Sequence, residues 1–283
     1  MIVGDSQKRD VVLIRGGGDL ASGVALRLHR SGMHVIITEL DQPLVIRRSV
    51  SFAEAIYQGE THVEGITARK VDGMTDIQCA WDERVIPVLV DPECSIINQL
   101  ETNRPPWFIS VLVDGRMTKR PPELGMDSAP MVVGLGPGFI AGDNCHAVIE
   151  TNRGHFLGKV IWNGSASGNT GVPGGFGGEY HDRVLRSPAD GLFQPERQIC
   201  DRLNQGDKIA EVGGESIYAP FKGVLRGILY PGLFVQQGFK IGDLDHRDDP
   251  RYCITVSDKS LAVAGGVLEA ILTNKHQREI LGE

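Results

Sequence analysis

Residues 11–39 read VVLIRGGGDLASGVALRLHRSGMHVIITE, and the fold is decided there. Val11–Ile14 is a short apolar run that breaks into Arg15-Gly16-Gly17-Gly18-Asp19-Leu20-Ala21. Leu20, Val24 and Leu28 then recur at helical spacing, and Gly32 supplies a C-terminal stop. Val35–Thr38 is a second strand and ends at Glu39. Strand, glycine turn, helix, strand and acidic residue, in that order, is the plan of a dinucleotide-binding βαβ unit. Gly16-x-Gly18-x-x-Ala21 fits the glycine fingerprint with its permitted alanine, and Glu39 lies 21 residues beyond Gly18. Two readings stay open. Gly16, Gly17, Gly18 and Asp19 hold a dinucleotide such as NAD(P) with Glu39 on its ribose, or the turn only packs strand against helix. The charge of Asp19, which would repel a pyrophosphate, favours the second.

The alternation continues outward. Ser51-Phe52-Ala53-Glu54 has capping-box spacing and predicts a short helix ending near Gly59. Thr75-Asp76-Ile77-Gln78 repeats that signal ahead of the apolar run Val85–Val90. Ser95–Leu100 reads as a helix, and Trp107–Val113, Met131–Leu135 and His146–Ile149 read as strands. Strands alternating with helices of this length predict an α/β fold, Rossmann-like, with a mainly parallel sheet covered on both faces. Binding loops in such sheets sit at the carboxyl ends of the strands. Three candidate loops end strands there: Gly16–Asp19, Asp114–Lys119 and Gly136–Gly138.

Met131–Gly178 carries thirteen glycines in 48 residues, about twice the density of the whole chain. Glycine at that density between short apolar runs predicts binding loops, or else tight turns in a meander. Gly136-Pro137-Gly138 offers N–H groups to an anion. Asp114-Gly-Arg116-Met-Thr-Lys119-Arg120 places one carboxylate and three cations after a buried strand. Arg116 and Lys119 there either hold a phosphate or carboxylate, or Arg116 pairs with Asp114 to fix the loop. Glu150-Thr-Asn-Arg153-Gly-His155 follows the strand ending at Ile149, and the cluster Glu150, Arg153 and His155 is a further binding candidate.

A net charge of −7 excludes a broad nucleic-acid surface. No apolar run approaches the roughly 20 residues that span a bilayer, which predicts no membrane insertion. MIVGDSQKRD lacks the apolar segment of a signal peptide, so a cytoplasmic protein is expected. The five cysteines are scattered, with no CxxC spacing, and give neither a disulfide framework nor a metal site. Cys145, the cysteine beside the glycine-rich segment, reads as a small buried hydrophobe.

The character of the chain changes near His181. Ser187-Pro188-Ala-Asp-Gly191 recurs as Ala219-Pro220-Phe-Lys-Gly223, and Gln205-Gly206-Asp-Lys208-Ile209 recurs as Gln237-Gly238-Phe-Lys240-Ile241, each 32 residues later. A constant offset across separate matches marks an internal repeat. Two such units of short strands resemble an all-β barrel-sandwich hybrid of the biotinyl/lipoyl type. Carrier modules display a lysine on the hairpin joining the halves. Here that joint reads Val212-Gly213-Gly214-Glu215-Ser216-Ile217, so a structural or docking role is expected. Ser257–Lys275 then predicts a helix whose central Gly265-Gly266 requires close approach to another element, so it packs back on the α/β unit. The expected organisation is an α/β domain over 1–180, the barrel module over 181–250 and the returning helix over 251–283.

With these segments assembled, the chain resembles the YqeB family of accessory proteins of selenium-dependent molybdenum hydroxylase systems. The resemblance is carried by IRGGGDLASGVALRL (Ile14–Leu28), VDGRMTKRP (Val113–Pro121), GLGPGFIAGDNCHAVIETNRGHFLGKVI (Gly134–Ile161), NTGVPG (Asn169–Gly174) and AGGVLEAIL (Ala264–Leu272). The family pattern has alanine where this chain has Gly115. The Rossmann-like part is also similar to XdhC-type molybdenum cofactor chaperones. The resemblance implies maturation of a molybdenum hydroxylase as client, with a phosphorylated pterin, the molybdenum cofactor, as ligand. It defines no reaction. An NAD(P)-dependent oxidoreductase and a non-catalytic scaffold docking its client through the barrel are the competing readings.

Overall fold

Strand β1 (Arg9–Arg15) occupies the middle of a nine-stranded sheet because it can be buried on both faces. Val12 and Ile14 point to one core and Val11 and Leu13 to the other, the two-residue period of a strand. The computed structural model describes residues 9–103, 107–118, 120–168 and 183–281. After β1 come α1 (Asp19–Arg30), β2 (His34–Glu39), the short helix α2 (Ala55–Gln58), β3 (Glu60–Val63), β4 (Ile66–Val71), α3 (Met74–Asp82), β5 (Ile86–Val90), α4 (Ile96–Asn103), β6 (Trp107–Asp114) and β7 (Met131–Leu135). The short strands β8 (Ile140–Ala141), β9 (Ala147–Ile149), β10 (Val160–Ile161) and β11 (Gly164–Ser165) complete this part. The sheet order is β10-β9-β7-β6-β1-β2-β5-β4-β3, parallel from β9 to β4, with antiparallel edge strands β10 and β3. The chain leaves β1 towards β2 and returns through β6 on its other side, so the order reverses between β1 and β6.

The sheet is therefore mainly parallel, as the alternation predicts. One face is covered by α1 and by the C-terminal helix, α6 below; the other is covered by α3 and α4. The hairpin of β3 and β4 was not predicted. Its turn, Glu64-Gly65, has φ of 46° and 81°, the left-handed pair a two-residue hairpin needs. The predicted capping box at Ser51 does not form. Ser51 Oγ donates to the Arg47 carbonyl and Glu54 accepts from Arg48, so the chain makes two 3₁₀ turns before α2.

The second part is antiparallel: β12 (Val184–Arg186), β13 (Gly191–Pro195), β14 (Arg202–Leu203), β15 (Lys208–Val212), β16 (Glu215–Tyr218), β17 (Gly223–Ile228), β18 (Phe234–Val235) and β19 (Lys240–Asp245). Adding 32 to the first four ranges lands on the last four, so the sequence repeat is a repeat of strands. The two sheets run β12-β19-β17-β14 and β16-β15-β13-β18. Exchanging each strand for its repeat partner converts one sheet into the other. Each half thus gives two strands to each sheet, and the halves interlock around one core that includes Phe193, Ile209, Leu225 and Ile241. The joint Gly213-Gly214 is a two-residue hairpin with φ of 58° and 88°.

The chain returns through α5 (Arg251–Ile254) and α6 (Asp258–Leu281). Val263, Ala264, Val267 and Ala270 of α6 share a core with Val24, Ala25 and Leu28 of α1. A Cβ on Gly266 would overlap the Gly158 carbonyl oxygen, which is the close approach the double glycine predicts; Gly265 meets only an Arg27 nitrogen at 3.9 Å.

Candidate functional site at the carboxyl edge of the sheet

β7, β6 and β1 are adjacent and parallel, so the three loops picked out by sequence lie side by side at one edge. The glycine turn there is closed by the chain itself. Gly17 N–H donates to Glu39 Oε1 at 2.8 Å, and Leu40 N–H donates to Oε2 at 2.7 Å. Gly16 N–H donates to the Thr38 carbonyl at 2.7 Å. The Gly17 carbonyl accepts from Ala53 N–H at 3.0 Å and from Ser22 Oγ at 2.9 Å. A Cβ on Gly17 would lie 2.8 Å from Ala53 N, so this glycine admits a neighbouring segment of its own chain. Gly18 faces Val45, and Asp19 lies 3.5 Å from Arg47 Nη1. Glu39 is 8% exposed, and burial pushes its carboxyl above the ordinary value against the pull of the two N–H groups. The residue predicted to meet a ribose instead braces the turn.

The crevice between β1 and β6 is polar and charged. Arg116 pairs with Asp114 through Nε at 3.1 Å and Nη2 at 2.7 Å, and its Nη2 also reaches Glu123 Oε2 at 2.6 Å. Arg15, 3% exposed, donates from Nη1 to the same Glu123 oxygen at 2.8 Å and from Nη2 to the Pro92 carbonyl at 2.9 Å. Its Nε has no partner among the described residues. Two guanidinium groups therefore converge on one carboxylate oxygen at the point where the sheet order reverses, where open α/β sheets bind ligands. Arg116 beside it holds the Glu123 carboxyl down at about 2. Burial works against the Arg116 charge, but the carboxylates of Asp114 and Glu123 outweigh it and raise its pKa. Arg116 pairs with Asp114, which is one of its two sequence readings, and the same Nη2 also reaches Glu123. Arg15 and Glu123 were missed by sequence reasoning. The signal for Arg15 was a cation ending an apolar strand immediately before the glycines.

The other predicted residues divide. Lys119 lies outside the described residues. Gly136 abuts Thr151 and Met117, and Gly138 abuts the Arg120 backbone, so this loop leans on the one carrying Arg116. Glu150, 3% exposed, accepts from Asn152 N–H and Ser167 N–H, each at 2.7 Å. Burial pushes its carboxyl up, and the N–H donors outweigh that and lower it. It fixes a loop. Arg153 makes a bidentate pair with Asp258 at the start of α6, at 2.7 and 2.8 Å. His155 is exposed and meets the Phe156 ring edge-on. Among the described residues, Arg153 and Arg116 engage different carboxylates. Cys145 is buried, and burial pushes its thiol up to about 11. Among the described residues no cluster of His, Cys, Asp and Glu could hold a metal ion, and no helix is long and apolar enough to cross a membrane.

No protein-family model matches the chain. Among solved structures, an aspartoacylase family protein from Mesorhizobium loti is 13% identical with a TM-score of 0.28, covering 84% of this chain and 85% of that one. The ectoine utilization protein EutE from Ruegeria pomeroyi is 10% identical with a TM-score of 0.23, covering 83% and 87%. Likeness at that level carries no argument. Among curated proteins, the chain is 46% identical over 267 residues to the uncharacterized protein YqeB of Escherichia coli (strain K12). The match covers 94% of this chain and spans about half, 48%, of that relative's length. Over that span it supports the resemblance to the YqeB family carried by the segments above.

Proposed function

We propose that this chain is a cytoplasmic accessory protein that binds a phosphorylated, pterin-type cofactor at the carboxyl edge of its sheet, in the maturation of a selenium-dependent molybdenum hydroxylase. The observation that carries the binding half of this reading is the convergence of Arg15 and Arg116 between β1 and β6. Guanidinium groups match phosphate oxygens in charge and geometry, and a buried Arg15 with a free Nε is a donor set suited to such a group. Arg15 and Arg116 would hold the phosphate, with N–H groups of the Gly136–Gly138 loop alongside. The maturation half rests on the resemblance, and the molybdenum hydroxylase client comes from it alone. The closed glycine turn speaks against the NAD(P)-dependent oxidoreductase, because Glu39 already takes the Gly17 N–H a pyrophosphate would use and Ala53 packs against that glycine.

In this reading the β12–β19 sheets are a biotinyl/lipoyl-like barrel-sandwich hybrid without cargo, available for docking. The joint supplies glycine where a carrier displays lysine. Lys208 begins β15 and is paired with Glu196 and Glu211 at 2.6 and 3.2 Å. Intact-mass measurement of protein from its native host is expected to show no lipoyl or biotinyl addition; a modified lysine between Ser187 and Asp245 would remove the docking role. Native mass spectrometry of freshly purified protein tests the ligand. A phosphorylated pterin that is lost in Arg116→Leu is the expected result. A nicotinamide dinucleotide held by the native chain would overturn the proposal.

A further inference from the structure

We infer that the Arg15–Arg116 pair is an oxyanion site which the chain fills with its own Glu123 carboxylate, so that a phosphate-bearing ligand enters by displacing that side chain. This rests on the phosphate-binding reading above and adds how the site is kept and opened. The two sides of the contact are unequal. Arg15 is 3% exposed and held by the Pro92 carbonyl, whereas the Glu123 side chain is 63% exposed. A carboxylate that far out regains water when it leaves, while the buried guanidinium cannot follow it. Asp114 cannot take over, since it lies 4.0 Å from Arg15 Nη1 and is already engaged bidentately by Arg116. With Glu123 gone, two guanidinium groups would face one carboxylate, and the crevice would carry a net positive charge.

Glu123 ties its segment to the crevice through its carboxylate, which accepts from Arg15 and from Arg116. Glu39, at the same edge, is the contrast. It is 8% exposed and bound by two backbone N–H groups of its own turn, so it has nowhere to go. One internal carboxylate closes the nucleotide turn permanently, and the other stands in the neighbouring crevice as a removable occupant. A tethered carboxylate competes at a millimolar effective concentration, which sets the scale of the effect. Phosphate, with more oxygens and more charge, satisfies both guanidinium groups together.

Calorimetric titration with inorganic phosphate, on the native chain and on Glu123→Gln, tests this. Glu123→Gln is expected to bind phosphate about tenfold tighter or more, as removal of a tethered competitor requires. In the native chain, saturating phosphate is expected to move the Glu123 side-chain carboxyl carbon resonance towards that of a free glutamate, because the contacts to Arg15 and Arg116 are released, a readout that does not depend on the variant folding. Native protein that binds phosphate while Glu123→Gln binds it no tighter, or while the Glu123 carboxyl resonance stays unchanged, overturns the displacement and leaves the phosphate-binding reading standing. Absence of phosphate binding by both folded chains sinks the two together.

Discussion

Glu39 accepts the Gly17 N–H that a bound pyrophosphate would otherwise take, and the consequence is measurable in stability. Glu39→Ala leaves that buried N–H without an acceptor, which costs about 1–3 kcal/mol. The urea midpoint should fall accordingly, and titration with NAD or NADP should show no heat before or after the change. An unaltered midpoint would mean that Glu39 does not brace the turn. An acidic residue after the second strand was legible in the sequence, as were Gly16–Gly18 and Arg116 after theirs. Their partners were not, because a spacing rule names the residue that ends a strand and says nothing of which N–H or carboxylate reaches it across the sheet. Glu123 lies nine residues beyond Asp114, the end of β6, where no periodicity announces it. Its carboxyl, and that of Asp258 beside Arg153, are held at about 2 by those arginines. Because the folded values lie below the ordinary ones of about 4.3 and 3.9, both pairs stabilise the fold fully only above those ordinary values. That contribution is lost as pH falls from about 4.5 through 2. Both carboxylates are nearly two-thirds exposed, so the effect is modest and screened by salt. The double variant Glu123→Gln with Asp258→Asn should lose thermal stability less steeply over that range; an identical slope would refute the assignment.

The elements that the sequence disclosed are those whose burial is complete. β1, β2, β5, β6 and β7 are apolar runs because they are covered on both faces, and such runs are conspicuous. β3 and β4 form an edge hairpin whose outer residues are exposed, and its pattern is diluted by His62, Arg69 and Lys70. Only Glu64-Gly65 between two alternating runs could have revealed it. The C-terminal helix separates two glycines that look equivalent in sequence. A Cβ on Gly266 would overlap the Gly158 carbonyl oxygen and lie 2.9 Å from Ile149 Cγ2, so Gly266→Ala should destabilise by about 1–3 kcal/mol through overpacking. Gly265 has nothing nearer than Arg27 Nη1 at 3.9 Å, so Gly265→Ala should gain about 1 kcal/mol of helix propensity. Urea denaturation of the two variants distinguishes them, and shifts of the same sign would mean that α6 is not seated against residue 158 as described.

At the scale of the molecule, the strand repeat and its two exchanged sheets were readable from a 32-residue offset, but the way the two parts join was not. The joining segment, residues 46–57, is also the segment that roofs the glycine turn. Arg48 Nε donates to the Ile228 carbonyl at 2.9 Å, and Gly227 lets the Ile46 carbonyl approach its Cα closely. Tyr57 stacks on Tyr230 with ring centroids 3.7 Å apart and planes 6° from parallel, and Arg47 donates to the Tyr252 carbonyl at 2.9 Å. Ala53, within the same segment, donates to Gly17. A shared segment of this kind couples the parallel sheet to the antiparallel pair, so they should unfold as one unit. The tryptophans at 81, 107 and 162 all lie in the α/β part, so their fluorescence reports that part, while hydrogen exchange along β17 reports the other. Tyr230→Ala removes the stack from the β17 side, which is worth about 0.5–1.5 kcal/mol beyond its area. If the coupling is real, the fluorescence midpoint and the β17 exchange free energy fall together by equivalent amounts. Should Tyr230→Ala loosen β17 and leave the tryptophan transition where it was, the two parts are separate folding units, and the roof over the glycine turn takes no support from the antiparallel sheets.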